Sequence, residues 1–169
     1  MRVLAICCIW LCMLTVLGCG SSITLGTDED DFDATIYVGN WTGPWQSLLA
    51  GRQGTAVLLF RADQVAKTFE VTFDMDGEVL DGLDPPQVVF EGTYTTAGGA
   101  ADVPGTAFGD VTMTIGRNGA FSGAFENVPH PDIDRINFTG SASANSITIN
   151  FTVLLNGGGF VNGTMTLTR

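Results

Sequence analysis

A chain of 169 residues suits one domain with its own core, so cross-links are not needed to hold it together. Its 18 acidic against 7 basic residues, a formal charge of −11, argue against nucleic acid or anionic headgroups held through clustered Lys and Arg. Cys7, Cys8 and Cys12 lie in the first apolar run, Cys19 lies just after it, and no cysteine follows. The part that folds therefore has neither a disulfide nor a thiolate metal site.

The chain starts with Met1-Arg2, a short positive segment, followed by an apolar run from Val3 to Leu17 broken only by Thr15. Fifteen residues suit the apolar region of a signal peptide better than a spanning helix, which needs about 20. Val16-Leu17-Gly18-Cys19 then resembles the lipobox of bacterial lipoproteins. That resemblance implies cleavage after Gly18, removal of residues 1–18, and acylation of Cys19, the lipid-attachment residue. Two or three acyl chains hold a protein stably on a bilayer where one is marginal. Removing Arg2 leaves 6 basic residues against 18 acidic ones, a formal −12. Gly20, rather than Asp, follows Cys19, which by analogy with Gram-negative sorting points to the outer membrane. The alternative is an ordinary secretory signal or an uncleaved anchor with an incidental Cys19.

Residues 19–33 read as a lipidated acidic tether. Asp28-Glu29-Asp30-Asp31 and Asp33 form a run that repels itself and stays solvated. A calcium site is the sharper alternative, but spaced ligands and a turn glycine are missing.

Residues 34–169 carry a period of two. Phe69, Val71, Phe73 and Met75 alternate with Glu70, Thr72 and Asp74; Ile147, Ile149, Phe151 and Val153 alternate with Thr148, Asn150 and Thr152. This is the pattern of half-buried strands whose outer face is rich in β-branched Thr. The expected strands are Thr35–Trp41, Thr55–Ala62, Thr68–Met75, Gln87–Thr96, Asp110–Gly116, Ala120–Asn127, Ile133–Ser143, Ser146–Leu155 and Phe160–Thr168. Asp76-Gly77 and Asn118-Gly119 read as hairpin signals. Ala144-Asn145 and Asn156 to Gly159 read as further turns. Glu78–Pro86 and Ala97–Gly109 read as two longer connections, and Trp45–Gln53 as one helical turn across a barrel end. A meander this long must close or pack on itself to hide its edges. We therefore expect an all-β domain: a single antiparallel up-and-down β-barrel of about eight or nine strands, with a two-sheet β-sandwich as the alternative. A membrane-spanning barrel does not fit, because the alternate face is polar.

Gly39-Asn40-Trp41, followed by Thr42-Gly43-Pro44-Trp45, resembles the Gly-x-Trp signature of lipocalins and their calycin relatives. The resemblance implies a barrel-end plug in which Trp41 is covered by an arginine of the last strand, here Arg169. It also implies a cavity for an apolar small molecule, whose candidate lining is Phe69, Phe73, Phe90, Tyr94, Phe138, Phe151 and Val153.

Catalytic chemistry is not evident. His130, the single histidine, sits in Val128-Pro129-His130-Pro131-Asp132 and reads as a rigid turn; one imidazole cannot supply a zinc site. No nucleophile context accompanies it. Asp74, Asp76, Glu78 and Asp81 form the densest acidic cluster of the domain. Paired carboxylates can hydrolyse glycosides, but a solvated turn is the plainer reading. Four Asn-x-Thr matches, at Asn40, Asn137, Asn150 and Asn162, are expected from Thr-rich composition. The expectation is thus an envelope lipoprotein, not an enzyme and without cofactor or metal. Its partners are a membrane, through Cys19, and an apolar small-molecule ligand in the barrel. The alternative is a structural or protein-interaction module with no ligand cavity.

Overall fold

Alternation of side chains leaves each strand with one apolar face, and ten such strands bury those faces by closing on one another. The computed structural model describes residues 31–48, 51–77 and 84–169. The signal segment, Cys19 and most of the expected tether lie outside them. The strands are β1 (Gly39–Ser47), β2 (Gln53–Asp63), β3 (Thr68–Met75), β4 (Val88–Thr95) and β5 (Gly98–Thr106). They continue with β6 (Gly109–Gly116), β7 (Ala120–Glu126), β8 (Ile133–Ala142), β9 (Ser146–Leu155) and β10 (Phe160–Thr168). Each pairs antiparallel with the one before it, and β1 pairs with β10, as in Trp45 opposite Met165, so the ladder has no free edge. The sheet is one closed up-and-down barrel rather than a sandwich. All ten strands, the buried core and the closed ladder lie within residues 31–169.

Four details depart from the sequence reading. The strand count is ten rather than eight or nine, because Ala97–Gly109 contains β5. Its inward positions Gly99 and Ala101 are small, so no apolar alternation marks it. The space they leave is filled from the neighbours: a methyl group at Gly99 would press on Ile115 and Phe69. Second, Thr35–Trp41 is not a strand. Ala34–Tyr37 forms one 3₁₀ turn, with Asp33 as its N-cap accepting from the Thr35 amide at 2.9 Å and the Thr35 hydroxyl at 2.6 Å. The first strand starts only at Gly39. Third, Trp45, Gln46 and Ser47 extend β1, and Gln53 opens β2, so no helical turn spans Trp45–Gln53 among the described residues. Fourth, Asp76-Gly77 opens the long connection between β3 and β4 instead of closing a tight hairpin, whereas Asn118-Gly119 does turn β6 into β7.

One pairing rule shapes the interior. Phe69 lies directly opposite Gly92, Phe121 opposite Gly140, Phe138 opposite Gly123, Phe151 opposite Gly163, and Trp45 opposite Gly54. In each pair the aromatic ring occupies the space a side chain on the glycine would need. The rings therefore lean sideways over the next strand rather than towards the barrel axis. Cross-strand aromatic contacts of this kind stabilise the sheet. Here they also leave the centre of the barrel unfilled.

Candidate functional site: an apolar cavity open at one end

The two barrel ends are built differently. At one end, the Phe32 amide donates to the Thr96 carbonyl at 3.0 Å. Phe32 and Tyr37 are buried there, and Ala34 is fully so. Their rings form a chain of contacts with Tyr94, Phe60 and Phe69; Phe60 and Phe69 are stacked with centroids 5.5 Å apart. Thus Phe32, near the end of the expected tether, packs onto this end of the barrel, and exposed Asp33 caps the 3₁₀ turn that crosses it.

Trp41 and Arg169 meet at the same end. Trp41 is completely buried, and its indole N–H donates to the Tyr37 carbonyl at 2.8 Å. The Arg169 guanidinium lies over the ring, 4.4 Å from its centroid. That guanidinium also donates to the carbonyls of Ile36, Val38 and Ala144, so it ties the 3₁₀ turn, the last strand and the β8–β9 turn together. Burial raises the Tyr37 phenol above its ordinary pKa, with a smaller contribution from the Asp33 charge. The Thr35 hydroxyl and amide hold the Asp33 carboxyl below its ordinary value.

Above this floor lies a cavity of about 420 Å³, within the range of roughly 300–1,000 Å³ typical of small-molecule sites. Its wall is apolar. Leu58, Phe73, Met113, Phe138, Ile149 and Phe151 are representative, and every strand except β5 contributes. Among the described residues no charged or polar side chain is fully buried. The polar lining other than the Tyr37 floor comes from Ser47, Arg52, His130 and Asp132. All four lie at the end opposite the cap, where β1 ends, β2 begins and β7 connects to β8. Among the described residues this end, where Asp132 is exposed, is the mouth. His130 is held by its loop: its Nδ1 accepts from the Asp132 amide at 3.3 Å, and its own amide donates to the Val128 carbonyl at 2.8 Å. The loop is tied to the β9–β10 turn through Asn156, whose amide and side chain donate to the Asp132 and Pro131 carbonyls.

Five of the seven candidate lining residues, Phe73, Phe90, Phe138, Phe151 and Val153, face this cavity. Phe69 and Tyr94 do not. They belong to the aromatic floor, because β3 starts and β4 ends at the capped end. Tyr37, Trp45 and Met113 line the cavity without having been singled out by sequence. Trp45 lies near the mouth, with its indole N–H donating to the Asp76 carbonyl at 3.0 Å. Its signal was the pairing of an aromatic with a glycine, which only strand register reveals. Of the acidic cluster, Asp74 follows inward Phe73 and so faces outward, and Asp76 is exposed in the connection after β3. Glu78 and Asp81 lie outside the described residues. No group of three or more His, Cys, Asp or Glu side chains converges on a common point among the described residues. No protein-family model matches the chain, and no curated protein matches it.

Such a site can desolvate an apolar molecule and hold it by shape and dispersion. Each methylene moved from water into it contributes about 0.8 kcal/mol.

Proposed function

We propose that the barrel is a calycin-like binding module that carries an apolar small molecule, held at the cell envelope by lipid on Cys19. The observation that carries the reading is the cavity itself: an apolar interior capped at one end by Phe32, Tyr37 and Trp41, with its charged lining confined, among the described residues, to the other end. Close-packed cores leave few voids larger than a water molecule, so an unfilled barrel centre whose wall carries four aromatic–glycine pairs, those of Trp45, Phe121, Phe138 and Phe151, is a built feature. The N-terminal chain reaches the barrel at the capped end, so an anchor on Cys19 would attach at the end away from the mouth.

Native mass spectrometry on residues 31–169, purified without detergent, tests the binding reading. The expected result is an adduct of defined mass that is lost on denaturation. The same adduct should be lost in Ile149→Trp, which fills the cavity from β9. Absence of any adduct, together with no uptake of an apolar fluorescent dye by the unmodified barrel, would sink the reading and favour an interaction module. The anchor is tested separately on the full chain in its native membranes. Cys19→Ala should move the protein from the membrane to the soluble fraction and abolish the acyl mass on the N-terminal peptide. An unmodified Cys19 in the parent protein refutes it.

A further inference from the structure

The floor of the cavity carries one polar group that the barrel itself does not use. Apart from Ser47, Arg52, His130 and Asp132 at the mouth, the polar side-chain groups of the lining are the Trp45 indole N–H, already donated to the Asp76 carbonyl, and the Tyr37 hydroxyl. The Tyr37 backbone carbonyl accepts from the Trp41 indole, but the phenol oxygen has no hydrogen-bond partner among the described residues. Tyr37 is only 3% exposed. Yet among the described residues no side-chain oxygen or nitrogen is both sealed off and unpaired. The phenol oxygen therefore borders open space, and the cavity is the space that Tyr37 lines.

The surroundings of the ring place this oxygen. The ring packs on Phe32 and on Phe60 of β2, with centroids 5.9 Å and 6.1 Å away. Its oxygen reaches Gly119 in the β6–β7 turn, where a side-chain carbon would stand 3.0 Å from it. β2 and that turn lie on opposite sides of the ten-stranded ladder, so the phenol lies across the floor. The 3₁₀ turn that carries it is capped by Asp33 and fastened to Arg169 through the Ile36 carbonyl. The hydroxyl is thus fixed before a ligand arrives, which lowers the cost of ordering it on binding.

An unpaired hydroxyl facing apolar space costs free energy that an acceptor on the ligand would recover. A ligand hydroxyl recovers it incompletely, because two hydroxyls sharing one hydrogen bond leave one O–H without an acceptor. A carbonyl oxygen takes the phenol proton and brings no donor of its own. Burial raises the phenol pKa, so the group stays a donor at neutral pH. A carboxylate would bury an unpaired charge at this depth, and the nearby Asp33 charge opposes a second anion there.

We propose that the ligand is a neutral apolar molecule with a carbonyl group near one end, which enters carbonyl first and accepts a hydrogen bond from the Tyr37 phenol at the floor. This deepens the reading of the barrel as a binding module and rests on it.

The test uses residues 31–169, which hold all ten strands, the core and the closed ladder. Four probes of equal carbon number differ in one group: a linear methyl ketone, its isomer with the carbonyl at the chain centre, the primary alcohol and the alkane. Affinities are read by displacement of an apolar fluorescent dye. The methyl ketone should bind more tightly than both its isomer and the alcohol. Tyr37→Phe keeps the ring and removes the donor. It should weaken the methyl ketone about three- to tenfold relative to the alkane, the range of one net hydrogen bond. A merely structural role for Tyr37 would move all four probes together. The infrared C=O stretch of the bound methyl ketone should lie below its position in hexane and return towards it in Tyr37→Phe. An unshifted stretch, an unchanged ratio in Tyr37→Phe, or tightest binding by the alcohol overturns the inference while the cavity reading stands. So does a dye that binds and that none of the probes displaces. If neither dye nor probe binds, the cavity reading falls as well.

Discussion

The capped end and the mouth of this barrel are made from the same strands but obey opposite rules. At the cap, Phe32, Ala34, Tyr37, Trp41 and Tyr94 are buried against one another, and Arg169 satisfies three backbone carbonyls while covering the indole. Apart from the Tyr37 hydroxyl, each group there has its partners within the protein. At the mouth, Ser47, Arg52, His130 and Asp132 edge an apolar space, and Phe160 and Leu48 are largely exposed nearby. The difference teaches that one end is specified by packing and serves stability. Among the described residues the other leaves an apolar space unfilled, and unfilled space at a concave apolar surface is what a ligand requires.

Truncation gives the largest expected contrast. Trp41→Ala removes a completely buried indole and should cost about 3–5 kcal/mol in chemical denaturation. Phe73→Ala, in the cavity wall and only partly buried, should cost clearly less, because part of its surface already faces empty space. Equal losses would erase the distinction between cap and wall.

The aromatic–glycine pairs sharpen it next. Gly163→Ala or Gly123→Ala places a methyl group where Phe151 or Phe138 now lies, close to backbone as well. Overpacking of this kind should cost about 1–3 kcal/mol. It should also turn the ring towards the axis and reduce uptake of an apolar dye. A stability loss with unchanged uptake would show that the rings do not control the cavity.

Smaller effects are expected at the cap's polar fastening. Arg169→Ala should cost about 1–2 kcal/mol through lost hydrogen bonds and the stacked cation. Arg169→Lys should recover only part of this, since an ammonium cannot span three carbonyls in a fixed fork. Dye affinity should stay unchanged in both, because the contacts lie at the far end from the mouth.

The smallest effect is in pH. The Tyr37 phenol stays protonated in the fold beyond its ordinary value near 10. The unfolded chain then holds fewer protons than the folded one, so stability falls as pH rises above that value. Tyr37→Phe should flatten this alkaline limb in a melting-temperature series. Asp33, Asp63 and Asp110 are shifted the other way, below the ordinary 3.8. Their contribution is present above that value and is lost as pH falls below it.

Much of the fold was legible because it rests on local rules. The period of two in Thr68–Met75 or Ser146–Leu155 is a direct consequence of side chains alternating across a strand, and both strands have the bounds the pattern predicts. Where that rule is silent the reading fails. In Gly98–Thr106 the first inward positions, Gly99 and Ala101, are too small to show alternation, and at Gly99 Phe69 and Ile115 take the space. At Ala34–Tyr37, Thr35, Ile36 and Tyr37 have the composition of a strand. Asp33 nevertheless captures the Thr35 amide and hydroxyl and turns the chain across the barrel end.

The site divides in the same way. Phe73, Phe90, Phe138, Phe151 and Val153 could be named from sequence because any inward aromatic or branched residue of a closed barrel faces its centre. Phe69 and Tyr94 share that pattern but lie in the floor, since height along the barrel depends on strand tilt and register, which sequence periodicity does not contain. By itself the sequence determined the all-β class, the meander order and the inward face of most strands, because these follow from alternation and turn chemistry within a few residues. The tertiary structure alone decided the tenth strand and the height of each inward ring, while the meeting of Trp41 with Arg169 and an open centre, which the sequence implied only through resemblance, take their geometry from it. Those depend on which residues face one another across the ladder, and on rings finding glycines there.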